Sequence, residues 1–265
     1  MKAFAKEIAS KLDVSAISPD VLSLLRCSFL PDLFKGIQNR HLREHIKDHI
    51  PDGTQYTIFI VLYSDEVEIC NPLGAKRGVH KLLAVYFTLL NLHAKHRSQL
   101  RFIHLVLLAK YDDVQTYGLE KVLSPLIEDI NELGMCGVRF IDRGEVQNAQ
   151  VFVFCVCGDN LSMNRLGGFT CCFSQGRVCR FCMASSKRLP ELTTEDFCTL
   201  RTAQAHEGHL QAVALNPKAN KKLYGVNERS PMLEVPYFDV TRQLPPDLMH
   251  DILEGGFECV LRPVL

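Results

Sequence analysis

The sequence predicts an α/β fold with a mixed sheet, flanking helices and a cysteine-bearing insertion. Three observations lead to this prediction. Apolar runs of strand length, rich in β-branched and aromatic residues, occur at YTIFIVLY, LRFIHLVLLAK and QVFVFCVCGD. An amphipathic helical pattern separates the second of these runs from the third. After residue 166 this regular pattern stops, and a segment rich in Cys, Gly, Lys and Arg begins.

The first part of the chain predicts a helical leader over 1–52. Ser18 with Pro19 and Asp20 forms a helix-start signal, and Pro51 begins the signal that ends the leader. We expect the first part of the core over 53–166, an insertion over 167–243, and an incomplete final core helix over 244–265.

Within the predicted core, the run HKLLAVYFTLL fits either a third strand or a buried helix. The following stretch, YGLEKVLSPLIEDINEL, has apolar residues at spacings of three and four. This spacing predicts an amphipathic helix that Pro125 kinks and Gly134 ends. GVRFI predicts a further strand before the last buried one.

Composition narrows the functional classes. The chain has 265 residues, 47% of them apolar, which is enough for one large domain or two small ones. Lys plus Arg and Asp plus Glu each number 30, so contacts with nucleic acid must come from local patches. The chain shows neither a signal-peptide core nor a long apolar run. We therefore expect a soluble intracellular protein, nuclear or cytoplasmic, with reduced cysteines and no membrane partner.

Two aspartates follow apolar strand candidates. Asp65 comes after YTIFIVLY and Asp159 after VFVFCVCG. Carboxylates at strand ends, where ligands bind in open α/β sheets, are suited to magnesium or manganese and to phosphodiester chemistry. Three strands, a helix, more strand and then helices is also the element order of an RNase H-like core. The structural alternative is that each aspartate only marks the return of the chain to water.

Cys179 and Cys182 have the spacing of half a tetrahedral zinc site. The remaining two ligands have three candidates, namely His206, His209 and His250. We favour His209 with His250, because ligands on both sides of the insertion would join it to the core. The structural alternative is a pair of ordinary core cysteines.

A late polar segment, PPDLMHDILEG, predicts a helix that begins near Asp247. His250 and Glu254 lie one turn apart and share a face of that helix. Glu254 is therefore a candidate third carboxylate, with Asp247 and Asp251 as alternatives.

Basic stretches are candidates for phosphate contacts. They lie at Lys76 with Arg77, from Arg177 to Lys187, and from Lys218 to Lys222. Solvated lysines are the structural alternative. Of the three stretches, the one that begins at Arg177 lies nearest the predicted zinc site along the chain.

Three segments together carry a family resemblance: YSDEVEICNPLGAKRGVHKLLAVYFTLLNL, CGDNLSMNRLGGFTCCFSQGRVCRFCMA and FDVTRQLPPDLMHDILEG. On these segments the chain resembles a DDE-type cut-and-paste transposase of the CACTA (En/Spm-like) group, or a host protein derived from one. The resemblance implies an RNase H-like fold, with Asp65 and Asp159 as the first two catalytic acids.

The same resemblance implies a zinc-type insertion that carries Cys179 and Cys182. The catalytic subunit of the antigen-receptor recombinase is similar in layout. That similarity implies that His209 and His250 complete the zinc site and that Glu254 is the third acid.

The function implied by the resemblance is magnesium- or manganese-dependent cleavage and transfer of DNA strands, with DNA as partner, structural zinc and a possible homo-oligomer. Because the chain ends soon after Glu254, we also expect a core truncated at its C-terminus. The alternative function is a domesticated, non-catalytic nuclear module that zinc stabilises and that binds DNA or protein.

Overall fold

A computed structural model describes residues 40–50, 56–69, 81–142 and 144–256. Of the predicted leader, these residues include helix α1 (Arg40–Lys47), whereas the helix start at Ser18 lies outside them. The basic pair Lys76 and Arg77 also lies outside them. The chain divides into two compact units between Val156 and Cys157.

Five strands form one mixed sheet in the order β3-β2-β1-β5-β4. Their bounds are β1 Tyr56–Glu68, β2 Lys81–Leu89, β3 His104–Lys110, β4 Val138–Asp142 and β5 Glu145–Cys157. β2 is antiparallel to both β1 and β3, and β4 is antiparallel to β5. The α/β class is thus confirmed, and HKLLAVYFTLL forms a strand rather than a helix.

The centre of the sheet is dry. The first seven residues of β1 are all buried, and Ile58, Phe59 and Ile60 have no exposed surface. The buried Asn91 satisfies backbone groups there, since its Oδ1 accepts from Phe59 N at 2.7 Å and its Nδ2 donates to Thr57 O at 3.1 Å. Because this side-chain amide both accepts and donates a hydrogen bond, it satisfies one buried N–H and one buried carbonyl that would otherwise lack partners.

Asp65 lies within β1 rather than at its end. The strand continues to Glu68, and Asp65 is paired in register with Ala84 of β2. The apolar run ends earlier than the strand, because backbone pairing with β2 extends the ladder into residues with one face in water. Asp65 is exposed on this outer half of β1.

The first unit also contains helices α2 (Ala94–Arg97) and α3 (Tyr111–Cys136) and a 3₁₀ turn at Leu100–Phe102. α3 is kinked at Gly118, where φ is 83°, and not at the predicted Pro125. Pro125 has no N–H for the Lys121 carbonyl, but the Ser124 hydroxyl donates to that carbonyl at 3.1 Å. The helix passes the predicted stop at Gly134 and ends before Gly137.

The second unit is less regular, as the loss of periodicity predicts. Its helices are α4 Asn160–Leu166, α5 Ala203–Leu215 and α6 Pro217–Tyr224, followed by a π-helical segment over Met249–Gly256. Short 3₁₀ turns lie at Leu189–Glu191, Glu195–Phe197 and Pro231–Glu234. None of the helices in the described part of the chain is long and apolar enough to cross a membrane.

The second unit begins before the predicted insertion boundary at 167. α4 belongs with the residues that follow it, because Asn164 bonds them. Its Nδ2 donates to Thr170 O at 2.8 Å and to Val178 O at 3.2 Å. Burial of these groups makes the bonds costly to lose.

Replacing Gly137 by alanine should destabilise the first unit more than the same change at Gly118. Both residues have positive φ, so each substitution costs about 1 kcal/mol in backbone strain. A Cβ at Gly137 would in addition lie 2.7 Å from Ala149 O, whereas at Gly118 it would meet nothing within 4 Å. We expect Gly137→Ala to lower the free energy of unfolding by about 2 kcal/mol more than Gly118→Ala, measured by urea denaturation. Equal losses would contradict this packing.

Candidate functional site

Asp159 begins the second unit's first helix. The apolar run of β5 ends at Cys157, and Asp159 N-caps α4, with Oδ1 accepting from Ser162 N at 2.6 Å. Aspartate is among the preferred N-cap residues because its carboxylate satisfies an otherwise free N–H. The carboxylate is thus held at the start of α4 by local sequence alone.

Arg180, between the two cysteines of the C-x-x-C pair, forms a buried hub. It is only 5% exposed. It donates to the carbonyls of Leu244 and Pro245 at 2.8 and 2.7 Å, and to the side-chain oxygens of Asn160 and Asn164 at 2.9 and 3.3 Å. One guanidinium therefore connects the cysteine segment, α4 and the chain that leads into the π-helical segment.

Burial lowers the pKa of Arg180, and the acidic groups around it, two thiols and two carboxyls, oppose that shift. These groups are Cys179, Asp251, Asp247 and Cys157, in decreasing order of effect. The fixed positive charge of Arg180 thus lies within electrostatic range of two acidic side chains of the late segment.

The late segment contributes Asp251 to the surroundings of α4. The Asn160 amide donates a short hydrogen bond to the Asp251 carboxylate. Asp247 accepts from Met249 N at 3.0 Å and also bonds His250 Nδ1, a contact that holds the pKa of Asp247 below its usual value. Of the two described candidates for the third acid, Asp247 and Asp251, the structure brings Asp251 against the helix that Asp159 caps.

The Glu254 side chain lies outside the described residues, and so its candidacy stays a prediction. Asp65 belongs to the first unit, where it is exposed on β1. Its role as the first catalytic acid likewise stays a prediction.

Cys179 and Cys182 form a compact knuckle. Cys179 Sγ accepts from Phe181 N at 3.3 Å, and the Cys182 side chain is 4% exposed. Burial raises the pKa of the Cys179 thiol, while the backbone N–H groups oppose that rise. N–H groups aimed at a sulfur stabilise the thiolate form that binds metals.

Two histidines in the first turns of α5 have ring nitrogens without hydrogen bonds. His206 is 2% exposed, and neither of its ring nitrogens has a hydrogen-bond partner; the Nδ1 of His209 is buried in the same way. His206 lies against the Phe169 ring at 5.1 Å, and His209 stacks on Tyr224 at 4.4 Å. Buried polar atoms without partners are rare and costly, and these ring nitrogens are therefore available to a ligand.

Arg201 lies within electrostatic range of both the cysteines and the histidines. It is 3% exposed and donates to Cys179 O at 3.1 Å. Burial lowers its pKa to about 10, against the opposing effect of Cys179 and Cys182. Burial, followed by the charge of Arg201, lowers the pKa of His206 to about 4. Both histidines are therefore neutral near pH 7, as metal ligands must be.

The cysteines and these histidines fit zinc in their donor chemistry. Two thiols and two neutral imidazoles make a Cys₂His₂ set, and three of the four imidazole nitrogens are buried and unpartnered. Within the described ranges, no three His, Cys, Asp or Glu side chains already stand in metal-holding geometry. The donors instead stand as two pairs, Cys179 with Cys182 and His206 with His209.

His250, which the sequence analysis favours as the fourth ligand, is bonded by Asp247 and its side chain is 44% exposed. His206 is the buried residue with unused nitrogens. The sequence signal that could have found it is weaker: His206 and His209 lie three residues apart, on one face of a predicted helix, after a C-x-x-C pair.

Replacing Arg180 by alanine should destabilise the second unit by about 3 kcal/mol or more, because it leaves buried carbonyl and amide oxygens without donors. The matched control is Arg229→Ala. Arg229 is 51% exposed and pairs with Glu207 at 2.9 Å, so its loss should cost under about 1 kcal/mol. Thermal unfolding followed by circular dichroism measures both. Similar costs for the two variants would refute the role of Arg180 as a hub.

Comparison with known proteins finds no matching family model and no matching curated sequence. Function must therefore be inferred from the residues themselves. The two features available for that inference are the acids around Arg180 and the donor pairs around Arg201.

Proposed function

We propose that the chain is a transposase-derived protein whose ancestral reaction is magnesium-dependent cleavage and transfer of DNA strands on an RNase H-like core. One observation supports this most directly. β1, β2 and β3 are consecutive antiparallel neighbours, a helix follows, and β5 then returns to lie beside β1. Three consecutive antiparallel strands, a helix and a later strand beside β1 support an RNase H-like core, whereas the edge strand β4, antiparallel to β5, departs from that pattern. Asp65 lies on β1, and Asp159 follows β5 by two residues.

The acids fit magnesium in their chemistry. A bound magnesium or manganese ion would activate the attacking water or hydroxyl and neutralise charge on the leaving oxygen. Ser162 N bonds one oxygen of the Asp159 carboxylate, and Asn160 bonds one oxygen of the Asp251 carboxylate. The second oxygen of each carboxylate could bind the metal ion. Carboxylate oxygens are the ligands that these hard ions prefer. We assign Asp65 and Asp159 as the first two acids, with Asp251 and Glu254 as candidates for the third.

We further propose that Cys179, Cys182, His206 and His209 hold a structural zinc. Their contribution would be to join the knuckle to α5 and to use nitrogens that are otherwise buried without partners. Structural zinc supplies folding energy of this kind in small, irregular domains.

Zinc content should depend on His206 and not on His250. Elemental analysis of the purified full chain should find about one zinc per molecule. That zinc should be lost in His206→Gln and retained in His250→Gln, because only the first residue offers unused ring nitrogens. Loss in His250→Gln alone would restore the ligand set favoured by the sequence, and a zinc-free wild-type chain would refute the site.

Cleavage should depend on Asp159 without a matching loss of stability. Asparagine caps a helix about as well as aspartate, so Asp159→Asn should change the free energy of unfolding by less than about 0.5 kcal/mol. It should lower magnesium-dependent nicking of supercoiled DNA by roughly a hundredfold or more. The matched control is Asp112→Asn in the first turn of α3, which should cleave like the wild type. Equal nicking by Asp159→Asn and the wild type would remove Asp159 from the mechanism.

A second candidate function is a non-catalytic, zinc-stabilised nuclear module that binds DNA or protein. It is favoured by the structural use of the acids, because Asp159 caps α4 and Asp251 accepts from Asn160. A wild-type chain that contains zinc and binds DNA, yet nicks no DNA with magnesium or manganese, would establish this alternative.

A further inference from the structure

A basic cavity of about 200 Å³ lies in the second unit. Its lining includes three cations, three neutral hydrogen-bonding side chains and one thiol: Arg177, Lys221, Lys222, Thr170, Gln175, Asn227 and Cys172. The volume is below the roughly 300 Å³ at which pockets for drug-sized ligands begin, so the cavity suits one small group. The lining combines the basic stretch that begins at Arg177 with the one that ends at Lys222.

The positive charge of the cavity is not neutralised by carboxylates. Among the residues that the structure describes, neither Arg177 nor Lys221 nor Lys222 forms an ion pair. Lys222 Nζ donates to the neutral Gln175 amide at 3.0 Å. Arg177 Nε donates to the Leu223 carbonyl at 2.9 Å, which holds the guanidinium in place. Uncompensated cations that converge on one concave site attract an anion.

Backbone packing holds the two basic stretches together. Gly225 ends α6 with φ of 67°, and a Cβ there would lie 1.9 Å from the Arg177 carbonyl oxygen. Thr170 N also donates to Gly225 O at 3.0 Å. The cavity walls are therefore set by direct backbone contact, which only glycine permits at this position.

We infer that this cavity binds a backbone phosphate of a nucleic-acid strand. Lysine and arginine together with threonine, glutamine and asparagine side chains are the groups that contact phosphate oxygens in nucleic-acid complexes. The exposed Lys218 lies one turn before Lys221 and Lys222 on α6, so the basic face continues beyond the cavity. A free anion would use only the cavity, whereas a strand places further phosphates along that face. The inference rests on the proposed function only for the class of partner.

The test is the full-length double variant Lys221→Gln/Lys222→Gln, with binding of labelled duplex DNA measured by fluorescence anisotropy over a series of salt concentrations. We expect roughly tenfold weaker binding and a drop of about one to two in the slope of log K against log salt. The control is Lys95→Gln/Lys121→Gln, which removes the same charge from exposed positions of the first unit. The control should bind like the wild type.

Three outcomes would overturn the inference: wild-type chain that binds no DNA at low salt, unchanged binding by the cavity variant, or equal weakening in both double variants. Titration with inorganic phosphate identifies the source of the anion. If the cavity variant loses phosphate binding while its DNA affinity is unchanged, the cavity serves a free anion and the nucleic-acid assignment fails. Equal unfolding midpoints show that both variants remain folded.

The result is separable from the catalytic proposal. If DNA binding depends on Lys221 and Lys222 but the chain nicks no DNA, only the catalytic proposal is refuted. If nicking depends on Asp159 but the salt dependence of DNA binding is unchanged in the cavity variant, only the phosphate site is refuted.

Discussion

The buried guanidinium of Arg180 is the interaction on which the second unit depends. Its four acceptors belong to α4 and to the chain before the π-helical segment, which are far apart in sequence. Taking a charge out of water is costly, so this arrangement persists only because every bond is satisfied. The same charge acts on Asp247 and Asp251, and Asp251 bonds Asn160 of the helix that Asp159 caps. The Arg180 guanidinium thus both holds the second unit together and acts on the candidate acids.

Arg201 is the buried arginine that lies beside the candidate metal ligands, as Arg180 lies near the candidate acids. It bonds the backbone of Cys179 and of Tyr224, and its charge acts on the knuckle and on both histidines. Burial and the positive charge of Arg201 keep both imidazoles neutral, the form in which histidine binds a divalent metal. Burial instead raises the pKa of the Cys179 thiol.

Much of the fold is predictable from the sequence, and each prediction that the structure contradicts has an identifiable physical cause. The apolar run of β2 fits a strand or a buried helix, and pairing with β1 and β3 decides for the strand. The extension of β1 through Asp65 likewise depends on pairing with β2. The kink at Gly118 escapes prediction because glycine permits a positive φ without requiring it, and the helical spacing of apolar residues begins directly after it. Proline is the usual sign of a kink, because it leaves a backbone carbonyl without its N–H donor. In α3 the Ser124 hydroxyl donates to the Lys121 carbonyl instead, and the helix continues through Pro125.

For the candidate site, the sequence alone determined the residue types: a strand-ending aspartate at Asp159, the Cys179 and Cys182 pair, and the histidines. These follow from short-range patterns, namely apolar runs, caps and ligand spacing. Only the tertiary structure decided that His206 is buried with unused nitrogens, that Asp251 bonds Asn160, and that two basic stretches line one cavity. Those choices depend on burial and on contacts between distant parts of the chain, which spacing along the chain does not encode.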